Sequence, residues 1–172
     1  ARCSRSRPPR ATTSDGGRRA RTGRPGRGRV TVAAAPRPLT LAFDADADAL
    51  LDRAPFALLV GMLLDQQMPM ERAFAGPARL ADRLGTPDRL DPAAIAAADP
   101  DGFAALMARP PAVHRFPAAM AARIQALASV VASDYGADSA MVWTGVGTGS
   151  RLYDRLVALP GFGDQKARIL IA

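Results

Sequence analysis

The chain has 172 residues, 48% of them hydrophobic, which is enough for one globular domain with a core of ordinary size. Residues 58–64 are apolar but run straight into Asp65-Gln66-Gln67, far short of the roughly 18 to 20 residues of a membrane-spanning helix, so a soluble protein with no membrane partner is expected. The net charge of +7 misleads: residues 1–37 carry eleven Arg against one Asp, so positions 38–172 hold twelve basic and fifteen acidic groups and a net charge of −3, and overall basicity argues for no nucleic-acid groove on the domain.

Residues 1–37 are Arg, Gly, Pro, Ser and Thr with few large apolar side chains, and such a segment does not offset the entropy of ordering it. A disordered tail is expected. Three uses stay open: a basic arm for nucleic acid, an Arg-rich targeting segment, and an extension foreign to the domain. The segment lacks the continuous apolar centre of a secretory signal, since the short apolar stretch 30–35 is closed by Pro36. The only cysteine, Cys3, lies in this tail and His114 is the single histidine, so neither a disulfide, a zinc site nor an iron–sulfur cluster is expected in the chain. No metal or cofactor is implied, and a cytoplasmic location of bacterial type is expected unless the tail targets the protein elsewhere.

From residue 38 onward the pattern is helical. Asp44, Asp46 and Asp48 lack the spacing and terminal Glu of a calcium loop and are read as the solvated acidic start of a helix over 46–53. Helices over 55–66 and 69–84 follow. Thr86-Pro87, Asp91-Pro92 and Asp99-Pro100 each set a capping side chain before a residue that needs no amide partner, the signature of a helix start, with helices placed over 92–98 and 100–107. His114 has no Ser or Cys nucleophile linked to it by a recognisable motif and is read as structural or surface. Over 117–134, Ile124, Leu127, Ala128 and Val131 recur at core-facing helical spacing. Residues 140–146, with Met141, Val142 and Trp143, are the one β-like run and short enough for a loop or helical turn. Gly145 to Ser150 looks like a phosphate loop but has no convincing strand before it and no Lys after it, so it is a linker leading into a helix. Helices over 148–157 and 163–172 complete an all-α fold.

Between these last two helices lies Leu159-Pro160-Gly161-Phe162-Gly163. Its glycines permit a tight reversal and a close approach to bare backbone, and the second helix turns its first free amides outward at the positive end of its dipole. A phosphate is the natural occupant, gripped without reading sequence. The competing reading is a Gly-terminated helix followed by another.

This motif resembles the signature of the helix-hairpin-helix (HhH-GPD) base-excision DNA repair superfamily, which includes the endonuclease III-like DNA glycosylases. Residues 59–67 are similar to that family's apolar helix ending in a Gln-containing loop, and residues 114–124 to the opening of its long middle helix. The resemblance spans roughly residues 45–172. It implies a multi-helix DNA-glycosylase-like domain, acting as a monomer on double-stranded DNA containing a damaged base that is flipped from the stack and excised. It makes Gln67 the wedge that fills the vacated stack and Gln66 a bystander or cap, and assigns the DNA contacts to Gln67, Leu159, Gly161, Phe162, Gly163 and Lys166. The lysine nucleophile of bifunctional members falls at Gln165, and an amide forms no imine, so monofunctional chemistry is expected. Lys166, one residue on and about 100° around the helix, is expected to touch phosphate or stand in solvent rather than act in catalysis. The family's catalytic Asp falls beyond Ala172, so 38–172 reads as a C-terminally incomplete domain, inactive alone. A noncatalytic helix-hairpin-helix DNA-binding module and a helical protein-interaction domain remain alternatives with the same fold.

Overall fold

The computed structural model describes residues 38–172, and every regular element among them is helical. In chain order they are α1 (Ala45–Arg53), α2 (Pro55–Leu64), α3 (Met70–Arg83), α4 (Pro92–Ala97), α5 (Pro100–Ala108), α6 (Pro117–Asp134), a 3₁₀ turn (Ser139–Val142), α7 (Gly149–Val157) and α8 (Asp164–Ile171). The expected disorder of 1–37 lies outside the described residues. No helix among those described is long and apolar enough to cross a membrane.

Local chemistry sets the boundaries. The carboxylate of Asp44 accepts from the Ala47 amide, Asp91 from Ala93 and Ala94, Asp99 from Gly102, and the Thr148 hydroxyl from Arg151, each satisfying donors that the first helical turn leaves free. Proline opens α2, α4, α5 and α6. Thr86-Pro87 starts no helix, however, and makes only a turn closed by the Arg89 amide on the Thr86 carbonyl at 3.0 Å. Pro92 lies too close downstream, because the residue before a proline is driven out of the helical region and leaves no room for a turn of helix between them. The run 140–146 is likewise no strand; the 3₁₀ turn and further turns occupy it.

The acidic start of α1 also departs from expectation. Asp46 is exposed, but Asp48 is buried (8% exposed), and its Oδ1 accepts from the Leu41 and Ala42 amides at 2.9 and 2.8 Å. Those two amides have no ladder or helix to join, so a buried carboxylate takes their place as acceptor. It stitches the segment before α1 onto the domain.

Helix α2 is the centre of the core. Phe56, Ala57, Leu59, Val60, Leu63 and Leu64 are all buried, and α1, α3 and α6 pack around them. Two glycines bring α2 and α3 close: a Cβ on Gly61 would lie 2.6 Å from Phe74 Cδ1, and one on Gly76 would lie 2.5 Å from Leu64 Cδ1. On the other flank, α4 and α5 pack against α6, whose Met120, Ala121, Ile124, Leu127, Ala128 and Val131 form the anticipated buried stripe. Gln125 Nε2 donates to the Ile95 and Ala98 carbonyls, satisfying the C-terminal end of α4. Leu156, Leu159, Phe162 and Ala167 carry α7, the hairpin and α8 onto the same core.

Candidate nucleic-acid interface

The hairpin is built by two inward anchors and two outward glycines. After α7 the Phe162 amide closes onto the Leu159 carbonyl at 3.0 Å, with Pro160 and Gly161 between them and Gly161 at φ +80°. Proline followed by a left-handed residue is what a type II turn requires. Leu159 and Phe162 are buried (2% and 4% exposed) and brace the turn from within. Gly161 is doubly constrained, by its φ and by Leu63, whose Cδ1 occupies the place of a Cβ. Gly163 is the opposite case: its backbone is extended and a Cβ there would meet nothing within 4 Å.

Gly163 is the cap position of α8, and no side chain caps this helix. The first amide engaged by the preceding backbone is that of Ala167, on the Gly163 carbonyl at 3.1 Å. The amides of Asp164, Gln165 and Lys166 therefore remain as donors at the positive end of the helix dipole, beside a residue with no side chain. Asp164 brings a carboxylate to the same end, but Oδ1 is tied to the Tyr153 hydroxyl at 2.6 Å and Arg168 Nε at 2.8 Å. The Tyr153 hydroxyl and then Arg168 hold this carboxyl below its ordinary range, and the Arg168 partner offsets its charge toward an approaching anion.

The Gln-containing loop lies after α2, which ends at Leu64, two residues earlier than the sequence pattern suggests, because Asp65 and Gln66 leave helical geometry. Gln67 is exposed at φ +56°, a left-handed conformation that costs a non-glycine residue roughly 1–2 kcal/mol. Gln66 is no bystander. Its Oε1 accepts from Arg123 Nη1 at 2.7 Å, and its backbone carbonyl accepts from His114 Nε2 at 2.9 Å. His114 Nδ1 in turn accepts from the Phe116 amide at 3.0 Å, which fixes the neutral ring with its proton on Nε2. The buried histidine thus ties the loop before α6 to the glutamine loop.

Lys166 does not stand in open solvent. It is half-buried, its Nζ donating to the Leu63 carbonyl at 3.2 Å and lying 5.8 Å from the centroid of the Phe162 ring. Burial pulls its ammonium down to about 8; Asp65 works against that shift and Arg123 with it. Gln165, at the position the resemblance gives to a lysine, is exposed. Leu63 therefore touches the hairpin twice, through its methyl group under Gly161 and its carbonyl on Lys166, while Arg123 lies near Lys166 and holds Gln66. The hairpin and the glutamine loop are joined through these contacts.

The sequence assigned no role to Asp65, Arg72, Arg115, Phe116 or Arg123, although all but Arg72 lie within residues 59–67 and 114–124. Arg72 and Arg115, with Gln67, Met68, Pro69, Ala112 and His114, line a concavity of about 310 Å³ beside the wedge candidate. A larger one, about 540 Å³, lies between α1 and α3 and mixes Asp44, Asp46, Asp82 and Asp88 with Arg53 and Arg79; no residue of the hairpin or glutamine loop lines it. Among the described residues there is no cluster of three or more His, Cys, Asp or Glu side chains placed to hold a metal ion. No protein-family model matches the chain, and no curated protein matches it.

Proposed function

We propose that this chain is a base-excision DNA repair protein of the helix-hairpin-helix type, which holds the DNA backbone at the α7–α8 hairpin and presents Gln67 to a damaged or mispaired base. One observation carries the proposal: an uncapped α8 begins at Gly163, whose side is open, behind a turn that Gly161 fits tightly against Leu63. Backbone donors at such a start suit a phosphate and read no sequence. The resemblance of the hairpin and of residues 59–67 to the DNA glycosylases supports the further step from binding to base excision. Gln165 supports a monofunctional hydrolase with water as nucleophile, and the bond from Lys166 to the Leu63 carbonyl supports a bracing role for that amine.

The noncatalytic module has one observation in its favour. Asp164, the carboxylate on the first turn of α8, is engaged by Tyr153 and Arg168 and so does not stand free as a general base. The deciding experiment is a glycosylase screen on a panel of lesion-bearing duplexes with borohydride present in parallel reactions. Base release without a trapped covalent adduct is the expected result for a protein that joins this chain to the catalytic Asp the resemblance implies, and residues 1–172 tested alone are expected to release none. An adduct lost on Lys166→Gln would overturn the monofunctional reading, and binding by the joined protein without base release on any lesion would leave the noncatalytic module.

A further inference from the structure

A second feature on the glutamine-loop side has the chemistry of a ligand surface. Arg72 and Arg115 are exposed, and their guanidinium groups make no hydrogen bond or ion pair with another described residue. Phe116 is 46% exposed, with the Arg115 guanidinium carbon 4.8 Å from its ring centroid and the centroid of the His114 ring 6.0 Å away. Arg123 adds a third guanidinium, and the neighbouring acids are Asp65 and Glu71. This concentration of positive charge is local, within a stretch whose net charge is −3. His114 fixes the arrangement, since it bonds to Gln66 on one side and Phe116 on the other.

We infer that the Arg72, Arg115 and Phe116 face binds an unpaired nucleotide, with its flanking phosphates on the two arginines and its base stacked on the Phe116 and Arg115 platform. The inference rests on the proposed DNA-binding function and extends it: a base displaced by Gln67 leaves a partner without its pair, and this face adjoins Gln67. Exposed guanidinium groups attract backbone phosphates of any sequence, and an exposed aromatic ring beside a guanidinium stacks any base. An acidic peptide would use the arginines but gain nothing from the ring.

The test uses the full chain and two fluorescent DNA probes, one an unbroken duplex and the other the same duplex with one unpaired nucleotide. Any contribution of the Arg-rich residues 1–37 is common to both probes, so the ratio of the two affinities isolates this face. The wild-type chain is expected to favour the probe with the unpaired nucleotide. Phe116→Leu lowers affinity for that probe about five-fold or more and leaves the duplex unchanged, while Phe116→Tyr restores the preference. Arg72→Ser with Arg115→Ser reduces the slope of log K against log salt by about two on the probe with the unpaired nucleotide. Wild-type behaviour of all these variants, alongside weakened duplex binding by Gly163→Leu, would overturn this inference and leave the hairpin intact. The reverse pattern, in which Gly163→Leu binds normally and the Phe116 and Arg variants do not, would remove the hairpin and support the face. Competition by polyglutamate equal to that of polydeoxythymidine, charge for charge, would also overturn it.

Discussion

Lys166 is the only lysine in the chain, which makes its environment directly measurable. Isotopic dimethylation gives a single lysine side-chain signal, whose titration is expected to have its midpoint near 8, because burial disfavours the ammonium. A midpoint above 10 would contradict the half-buried position. The linked effect on stability has a definite sign. A lysine whose pKa falls on folding leaves the native state with fewer protons between about 8 and its unfolded value, so stability rises with pH through that window. Lys166→Met should flatten that rise in denaturant titrations at successive pH values. An undiminished rise would assign it to other groups. None of this was legible in the sequence: a lysine on the first turn of a surface helix ordinarily stands in water, and only the packing of Phe162 and the α2 terminus turns it inward. Gln66 and Asp48 gave no better notice, since their partners are a distant arginine and two loop amides.

At the scale of elements, the sequence was far more informative. The caps at Asp91 and Asp99 and the apolar stripe of α6 are local signals, and each marked an element that the fold contains. Thr86-Pro87 failed because a local signal was overruled by another proline five residues on. The glycines separate into classes that only the packing distinguishes. Gly61→Ala should destabilise by about 1–3 kcal/mol, since its Cβ must push Phe74 aside between α2 and α3. Gly161→Ala should cost at least about 1–2 kcal/mol from its left-handed backbone, with the Leu63 contact added. Gly163→Ala should leave stability within about 0.5 kcal/mol, because its backbone is extended and its side is open. Urea denaturation of the three variants checks the order, and a Gly163 substitution as costly as the one at Gly161 would show that its side is not open.

Across the whole chain, charge is segregated. Residues 1–37 carry a net +10 and positions 38–172 a net −3, yet the surface around Gln67 gathers Arg72, Arg115 and Arg123. Averaging over the sequence hid that patch, because its members come from α3, the loop before α6, and α6 itself. Two of the three segments singled out from the sequence, the hairpin and the glutamine loop, are linked by Leu63 and by Arg123 of the third, a relation no spacing along the chain discloses. Any assay of bulk DNA affinity mixes the basic residues 1–37 with the hairpin, so the decisive observation has to be residue-specific. Backbone amide NMR of the full chain, titrated with an undamaged duplex, provides it. The proposed function predicts that the amides of Gly161, Gly163, Asp164 and Gln165 shift on binding and that Gly163→Leu suppresses those shifts. Hairpin amides that stay in place while signals from residues 1–37 move would contradict it.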